Sequence, residues 1–285
     1  MIARKKLLAL GLALLMSAGA LAGCGSQSDK KSESKITIAG STSVQPLSEF
    51  LAKDYMKENS GVEILVQGGG SGQAAKSLEE SIAQIGALSR NVEKDEKKVI
   101  KKEYTIAMDG VAVVVNKDVN VDNLTMNQIK DIFVGKIKNW KEVGGKDMKI
   151  AVVSREEGSG TRGAFTEITG VLEKKGEDKK DNTVSSALVQ SSTGAVVKTV
   201  SKTPGSIGYV SLASIDKSVK SLKVGGIAPS EKTVLDGSYK ISRPFIYAVT
   251  DKVDANTQKF IDYVISSDGQ ARVKEAGFIP VKENK

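Results

Sequence analysis

Ser154–Phe165, SREEGSGTRGAF, is the stretch of this chain richest in groups that hold an anion. Arg155 and Arg162 bring guanidinium forks, and Ser159 and Thr161 bring hydroxyl donors. Gly158 and Gly160 carry no Cβ, so their backbone can approach a ligand closely. Those residue types at that spacing fit the binding of an oxyanion by charge-assisted and backbone hydrogen bonds. The flanking elements must aim them. Lys149–Val153 (KIAVV) reads as a buried strand and Thr161–Ile168 as a helix, which puts the turn at a helix start. The first N–H groups of a helix have no internal partner, and the helix dipole adds positive potential there. One such turn is half of a clamp, and the other half must come from elsewhere.

Other parts of the chain repeat the pattern. Lys35–Ala39 (KITIA) alternates as a strand and runs into Gly40-Ser41-Thr42-Ser43, with Pro46 in a first helical turn and Ser43 a candidate cap. Leu47, Phe50, Leu51 and Tyr55 give that helix an apolar stripe up to about Ser60-Gly61. Three hydroxyls in a row exceed what capping needs. Val62–Val66 (VEILV) is the next strand, Gln67–Gly72 (QGGGSG) a turn carrying Ser71, and Gln73–Ile82 a helix. Ile85–Leu88 returns to the sheet and delivers Ser89-Arg90. This rhythm predicts a mainly parallel sheet with helices on both faces, its ligand site beyond the carboxyl ends of the strands. Asp109 is the odd member, an acid among donors. It either pairs with an arginine or accepts the proton of a monohydrogen oxyanion.

The remaining segments read as framework. Val92–Lys102 is charged and predicts a surface helix; Val111–Val115 predicts a fully buried strand. Leu124–Phe133 has helical spacing, Trp140 is a core anchor, and Glu173–Asp181 is an exposed charged segment. Ser191–Thr193 with Gly194 opens a helix that stops at Thr203-Pro204-Gly205, and Ile207–Val210 is a strand. Val224–Arg243 reads as extended and turn-rich, Pro244–Thr250 as a second long apolar strand, and Asn256–Ser266 and Gly269–Glu275 as helices.

Composition removes whole classes of chemistry. The 285 residues contain no histidine and one cysteine, Cys24. Ser-His-Asp and Cys-His catalysis and an intrachain disulfide are thereby excluded, and a dedicated zinc site is not expected. Gly158–Gly163 is literally G-x-G-x-x-G, but the acid about twenty residues on would be Asp181, in a lysine-rich segment rather than at a strand end. Neither Gly135-Lys136 nor Gly145-Lys146 continues into Ser or Thr, so there is no Walker A loop. No cofactor and no metal are expected. Arg4, Lys5 and Lys6 followed by the apolar run Leu7–Met16 form the front of a signal peptide rather than a membrane span. Gly25–Ser34 is a polar tether. Loss of residues 1–23 lowers the net charge from +8 to +5. The remaining lysines are dispersed among acids, without the basic, aromatic footprint of a nucleic-acid binder.

Leu21-Ala22-Gly23-Cys24 resembles the lipobox of bacterial lipoproteins, which implies lipidation of Cys24 and cleavage before it. AGSTSVQPLSE (39–49), QGGGSGQ (67–73), ALSR (87–90), MDGVAVVVN (108–116) and SREEGSGTRGAF (154–165) together resemble the phosphate-binding lipoproteins of bacterial ABC phosphate transporters. LTMNQIKDIFVGKIKNW (124–140), TPGSIGYV (203–210), SRPFIYAVT (242–250) and FIDYVISSDGQARVKEAGFIP (260–280) carry the similarity to the C-terminus.

The resemblance implies a type II periplasmic-binding-protein fold: two α/β lobes joined by two crossing strands, with phosphate in the cleft. Its lobes would be 35–113 plus 247–285 and 114–246, after a signal peptide at 1–23 and a tether at 24–34. Carried over by position, the phosphate ligands would be Thr42, Ser43, Ser71, Arg155, Ser159, Gly160 and Thr161; the convergence of donors at strand ends adds Ser89 and Arg90, and Asp109 completes the set. Ser41, Arg162 and Glu157 form a second tier, Glu157 as the acid that orients Arg155. Some members place an aspartate after the serine where this chain has Arg90, and Asp109 would substitute for it. The implied protein is a monomer and not an enzyme, lipid-anchored outside the membrane, with phosphate and the transporter's permease subunits as its partners. Two other readings stand beside it: a receptor for sulfate, molybdate or tungstate, and an extracellular phosphatase.

Overall fold

A computed structural model describes residues 34–176 and 178–281. The signal peptide, the lipobox with Cys24 and the tether up to residue 33 lie outside the described residues. The first elements are β1 (Ser34–Gly40), α1 (Gln45–Glu58), β2 (Val62–Gly68), α2 (Gly72–Glu79), β3 (Ile85–Leu88) and β4 (Lys102–Val115). Then follow β5 (Asn123–Leu124), α3 (Met126–Phe133), β6 (Ala151–Arg155), α4 (Gly160–Thr169), the hairpin β7 (Leu172–Lys175) and β8 (Asp178–Asp181), β9 (Leu188–Gln190) and α5 (Thr193–Lys202). The chain ends with β10 (Ser206–Ser211), β11 (Lys220–Ser221), β12 (Lys223–Val224), α6 (Glu231–Leu235), β13 (Ser242–Val249), α7 (Ala255–Ile265) and α8 (Ser267–Glu275).

Among the described residues, strands pair in the order β2-β1-β3-β13-β4-β10-β6-β9, with β11 also on β4. The sheet is mixed where a mainly parallel one was expected. Pairs β1–β2, β1–β3, β6–β10 and β6–β9 are parallel, but β4 and β13 run against their neighbours. The reason is β4. Its residues 102–110 pair with β13, and Val111–Val115 pair with β10, so one long strand serves two halves of the molecule.

Each half buries its own core. Ile36, Ile38, Leu47, Leu51, Ile106, Phe245 and Phe260 form one, under α1 and α7. Val111, Val113, Phe133, Trp140, Phe165 and Tyr209 form the other, under α3 and α4. Ala74 and Leu78 of α2, and Val196, Val197 and Val200 of α5, cover the opposite faces. Apolar residues thus continue along β4 on both sides of Asp109-Gly110, where the strand passes between cores. Gly110 is required there, since a Cβ would come 2.9 Å from Val234 Cγ2.

Two sequence readings fail. Val92–Lys102 is not a helix: only Glu96–Lys98 makes a single 3₁₀ turn, because Glu96 turns inward to Arg90 and Val92 and Ile100 pack beside α2. Val224–Arg243 contains α6, capped by Ser230, rather than being extended throughout. Trp140 is a fully buried anchor, its indole N–H donating to the Gly205 carbonyl at 2.8 Å.

Candidate functional site

Four helices begin at one place. α1 and α2 approach from the first half and α4 and α5 from the second, each entered from a strand through a short hydroxyl-bearing turn. Gly40, at φ +141°, lets the first turn fold onto β3, and its carbonyl accepts from Gly69 and Gly70 N–H. The turns then interlock. Ser41 donates to Ser89 Oγ at 2.8 Å, Ser71 Oγ accepts from Ser89 N–H at 3.0 Å, and Ser43 Oγ lies 2.9 Å from Thr161 Oγ1. Gly72 N–H donates to Gly158 carbonyl at 2.9 Å, a second bond between the halves. Gly160 fits because a side chain would overlap Ser71 Oγ and lie 2.6 Å from Ser89 Oγ.

Ser43 is not the cap read from the sequence. α1 begins after Val44 without a side-chain cap, and the Ser43 hydroxyl faces the second half. Ser71 likewise precedes α2 without capping it. Ser159 does cap α4, accepting from Arg162 N–H at 3.3 Å. The hydroxyls that do not serve their own helices are the ones gathered in the cluster.

Arg155 supplies the buried charge at 2% exposure. Its Nε and Nη2 donate to Glu156 at 2.7 Å, Nη1 donates to Thr193 Oγ1 at 3.2 Å, and Nη2 to Thr42 Oγ1 at 3.2 Å. The orienting acid is therefore Glu156, not Glu157. A fork–fork pair between neighbouring residues needs both side chains turned to one side, and Glu157 is exposed beyond the turn. Tyr209 braces the same strand. Its hydroxyl accepts from Arg155 N–H at 3.2 Å, its ring stacks on Phe165 at 4.1 Å, and burial pushes its phenol up to about 12.

Two expected ligands, Arg90 and Asp109, and the second-tier Arg162 stand outside the cluster. Arg90 is held by Glu96 through two bonds of 2.7 and 2.8 Å. Arg162 donates to Asp181 at 2.7 Å and to the Arg155 carbonyl at 2.9 Å, so it supports the turn from behind. Asp109 has both oxygens in use. Oδ1 accepts from Ser211 at 2.7 Å, and Oδ2 accepts from Arg243 Nε and Nη2 at 3.0 and 2.8 Å. Burial raises the Asp109 carboxyl above its ordinary range, against the pull of Arg243 and Ser211. Arg243 Nη1 donates to the Ser89 carbonyl at 2.9 Å, which joins this pair to the cluster through one residue. Of the two sequence readings of Asp109, the arginine pair is the one found.

Sequence reasoning missed Thr193, Glu156, Arg243 and Ser211. Thr193 had a usable signal, since Ser191-Ser192-Thr193-Gly194 has the make-up of the first turn and also starts a helix. Arg243 and Ser211 had none, because their partner lies more than a hundred residues away. The cluster is flanked by two cavities. One of ≈ 880 Å³ is lined by Ser159, Arg162, Arg90 and Arg243, and one of ≈ 420 Å³ by Thr42, Thr193 and Lys198.

The sequence profile of the PBP superfamily domain matches residues 25–268. The phosphate-binding protein PstS of Bacillus subtilis is 34% identical over 265 residues, 90% of this chain and 84% of that protein. A phosphate-binding protein of Streptococcus agalactiae, PstS 2, is 51% identical over 139 residues, 48% of this chain and 47% of its own length. A crystal structure from Clostridium perfringens, described as a phosphate ABC transporter substrate-binding protein with bound phosphate, superposes with a TM-score of 0.81. It is 38% identical and covers 87% of this chain and 100% of its own. An ABC-type phosphate transport receptor from Vibrio cholerae superposes at 0.73 with 35% identity, over 86% of this chain and 100% of its own.

Proposed function

We propose, from the premise that this chain belongs to the PBP superfamily and has its type II fold, that it binds inorganic phosphate outside the cell membrane and delivers it to an ABC importer. The observation that carries this reading is the convergence of four helix N-termini and their hydroxyls around the buried guanidinium of Arg155. Thr42, Ser43, Ser71, Ser89, Ser159, Gly160 and Thr161, with Arg155, are the proposed phosphate contacts. Each hydrogen bond to a charged group contributes roughly 1.5–3 kcal/mol net. A handful offsets desolvation and reaches the roughly −8 kcal/mol of a micromolar site.

Arg155 is neutralised by Glu156 and Arg243 by Asp109, so the phosphate charge is met chiefly by helix dipoles and donors. Hydroxyls both donate and accept, so the cluster can receive the proton of a hydrogen phosphate, which sulfate does not offer. Arg90, Arg162 and Asp109 take supporting places around this set, and Glu157 stands outside it. Ligand bound between halves favours the form in which they are joined, a state a permease can recognise. The lobes divide close to the expected 113/114 and 246/247, but Val111 and Val113 already pack in the second core and Phe245 in the first, so both crossings fall a few residues earlier in their strands. The chain acts as a monomer, lipid-anchored at Cys24, and is not an enzyme.

Calorimetric titration with phosphate, arsenate and sulfate tests the reading. Tight binding of phosphate with at most weak heat from sulfate is the expected result. Tight sulfate, molybdate or tungstate binding with none for phosphate would make the chain a receptor for another oxyanion. Hydrolysis of a chromogenic phosphate ester would make it a phosphatase. Release of the Cys24→Ser protein into the medium, with the original retained on cells, tests the anchor.

A further inference from the structure

We propose that Thr193 is a further positioning residue of this site, one that fixes the direction in which a chain of hydroxyls donates; the inference rests on the phosphate reading above. Guanidinium groups only donate, so Thr193 Oγ1, 3.2 Å from Arg155 Nη1, accepts there. Its own proton then goes to Ser43 Oγ at 2.8 Å, the nearer of two hydroxyls, since Thr42 Oγ1 is 3.4 Å away. Thr42 Oγ1 already accepts from Arg155 Nη2 at 3.2 Å and from Thr193 N–H at 3.3 Å.

Ser43, having accepted from Thr193, passes its proton to Thr161 Oγ1 at 2.9 Å. The chain ends at Thr161, whose O–H has no further protein acceptor at hydrogen-bond distance among the described residues. The Thr42 O–H has within the described residues only the long 3.4 Å contact to Thr193 Oγ1 and turns outward to a closer acceptor when a ligand supplies one. Arg155 thus polarises a relay through Thr193 and Ser43 that turns the Thr161 O–H to a ligand, and its own bond to Thr42 Oγ1 turns a second O–H the same way; hydrogen bonds in series strengthen one another.

Nothing in α5 itself requires this hydroxyl. Ser192 caps the helix, accepting from Ala195 N–H at 3.2 Å. Thr193 is buried, yet its side chain reaches residues of the first half about 150 positions away and the arginine of its own half. It is the junction at which charge on one side is turned into donor direction on the other.

The test uses the wild-type chain, Thr193→Val, Thr193→Ser, Thr161→Val and the double variant Thr193→Val/Thr161→Val, each titrated with inorganic phosphate by calorimetry after a melting curve. Valine keeps the branched shape and removes the hydroxyl. Thr193→Val is expected to bind at least about tenfold more weakly, the loss of a hydrogen bond to a charged group, and Thr193→Ser within about threefold of wild type. In the Thr161→Val background the same valine is expected to add less than about threefold, because the relay already lacks its last donor. Wild-type affinity in Thr193→Val, equal weakness in Thr193→Ser, or fully multiplicative losses in the double variant would overturn the relay alone. A wild-type chain that does not bind phosphate would overturn the phosphate reading and the relay with it. Should the valine variant fail to melt cooperatively, Thr193→Ala replaces it under the same criteria.

Discussion

Two buried arginines meet two carboxylates in this molecule, and they end in opposite roles. Arg155 takes its acid from the next residue, and Glu156 is a quarter exposed. That leaves Nη1 and Nη2 turned toward Thr193 and Thr42 at the helix starts. Arg243 takes its acid from the neighbouring strand, directly opposite in register, and the third nitrogen goes to the Ser89 carbonyl. Both members of that pair are 2–3% exposed, and Ser211 fills the remaining side of Asp109. What separates them is what the donors face: Arg155 turns Nη1 and Nη2 to hydroxyls, which keep protons of their own to offer a ligand, whereas Arg243 gives its donors to a carboxylate and a backbone carbonyl and so holds two strands and a loop in place.

Asp109→Ala leaves Arg243 buried without its counter-charge and is expected to cost about 3–5 kcal/mol of stability, read from denaturant unfolding. A loss below about 1 kcal/mol would show that the pair is not structural. Arg155→Ala is expected to act on the other quantity, lowering phosphate affinity by at least about 2 kcal/mol in calorimetry. Unchanged binding would remove Arg155 from the site.

A smaller effect is expected at the brace behind the turn. Burial works to raise the Asp181 carboxyl, but hydrogen bonds from Thr183 and Arg162 outweigh it and hold the group below its ordinary value. A carboxylate depressed in the folded state stabilises above its unfolded pKa of about 3.9 and loses that contribution as pH falls through the lower folded value. Asp181→Asn should therefore be less stable than wild type by about 1 kcal/mol at pH 7, with the gap closing below about pH 4. A gap that stays constant with pH would contradict the assignment. Least of all is expected from Arg90, which is committed to Glu96. Arg90→Ala should leave phosphate affinity within about threefold of wild type, and a larger loss would return it to the ligand set.

Much of this was legible in the sequence because it is local. A strand, a glycine-hydroxyl turn and a helix start are written within about a dozen residues, and the turns carrying Ser41–Ser43, Ser71 and Ser159–Thr161 do meet. Trp140 and the apolar run Val111–Val115 were readable as core for the same reason. Val92–Lys102 misled because its charges fit a helix surface while its apolar residues pack without helical spacing.

By itself, then, the sequence determined which turns carry donors, which residue types could meet an anion, and that histidine and thiol catalysis are excluded. It could not determine which oxygen each arginine faces. That depends on register between strands: Arg243 lies opposite Asp109 only because β4 and β13 pair antiparallel across 134 positions. It equally could not show that Thr193 reaches Ser43 across 150 positions. Backbone preferences act over a few neighbours, whereas the pairing of a buried charge is settled by whatever the fold brings within about 3 Å of it.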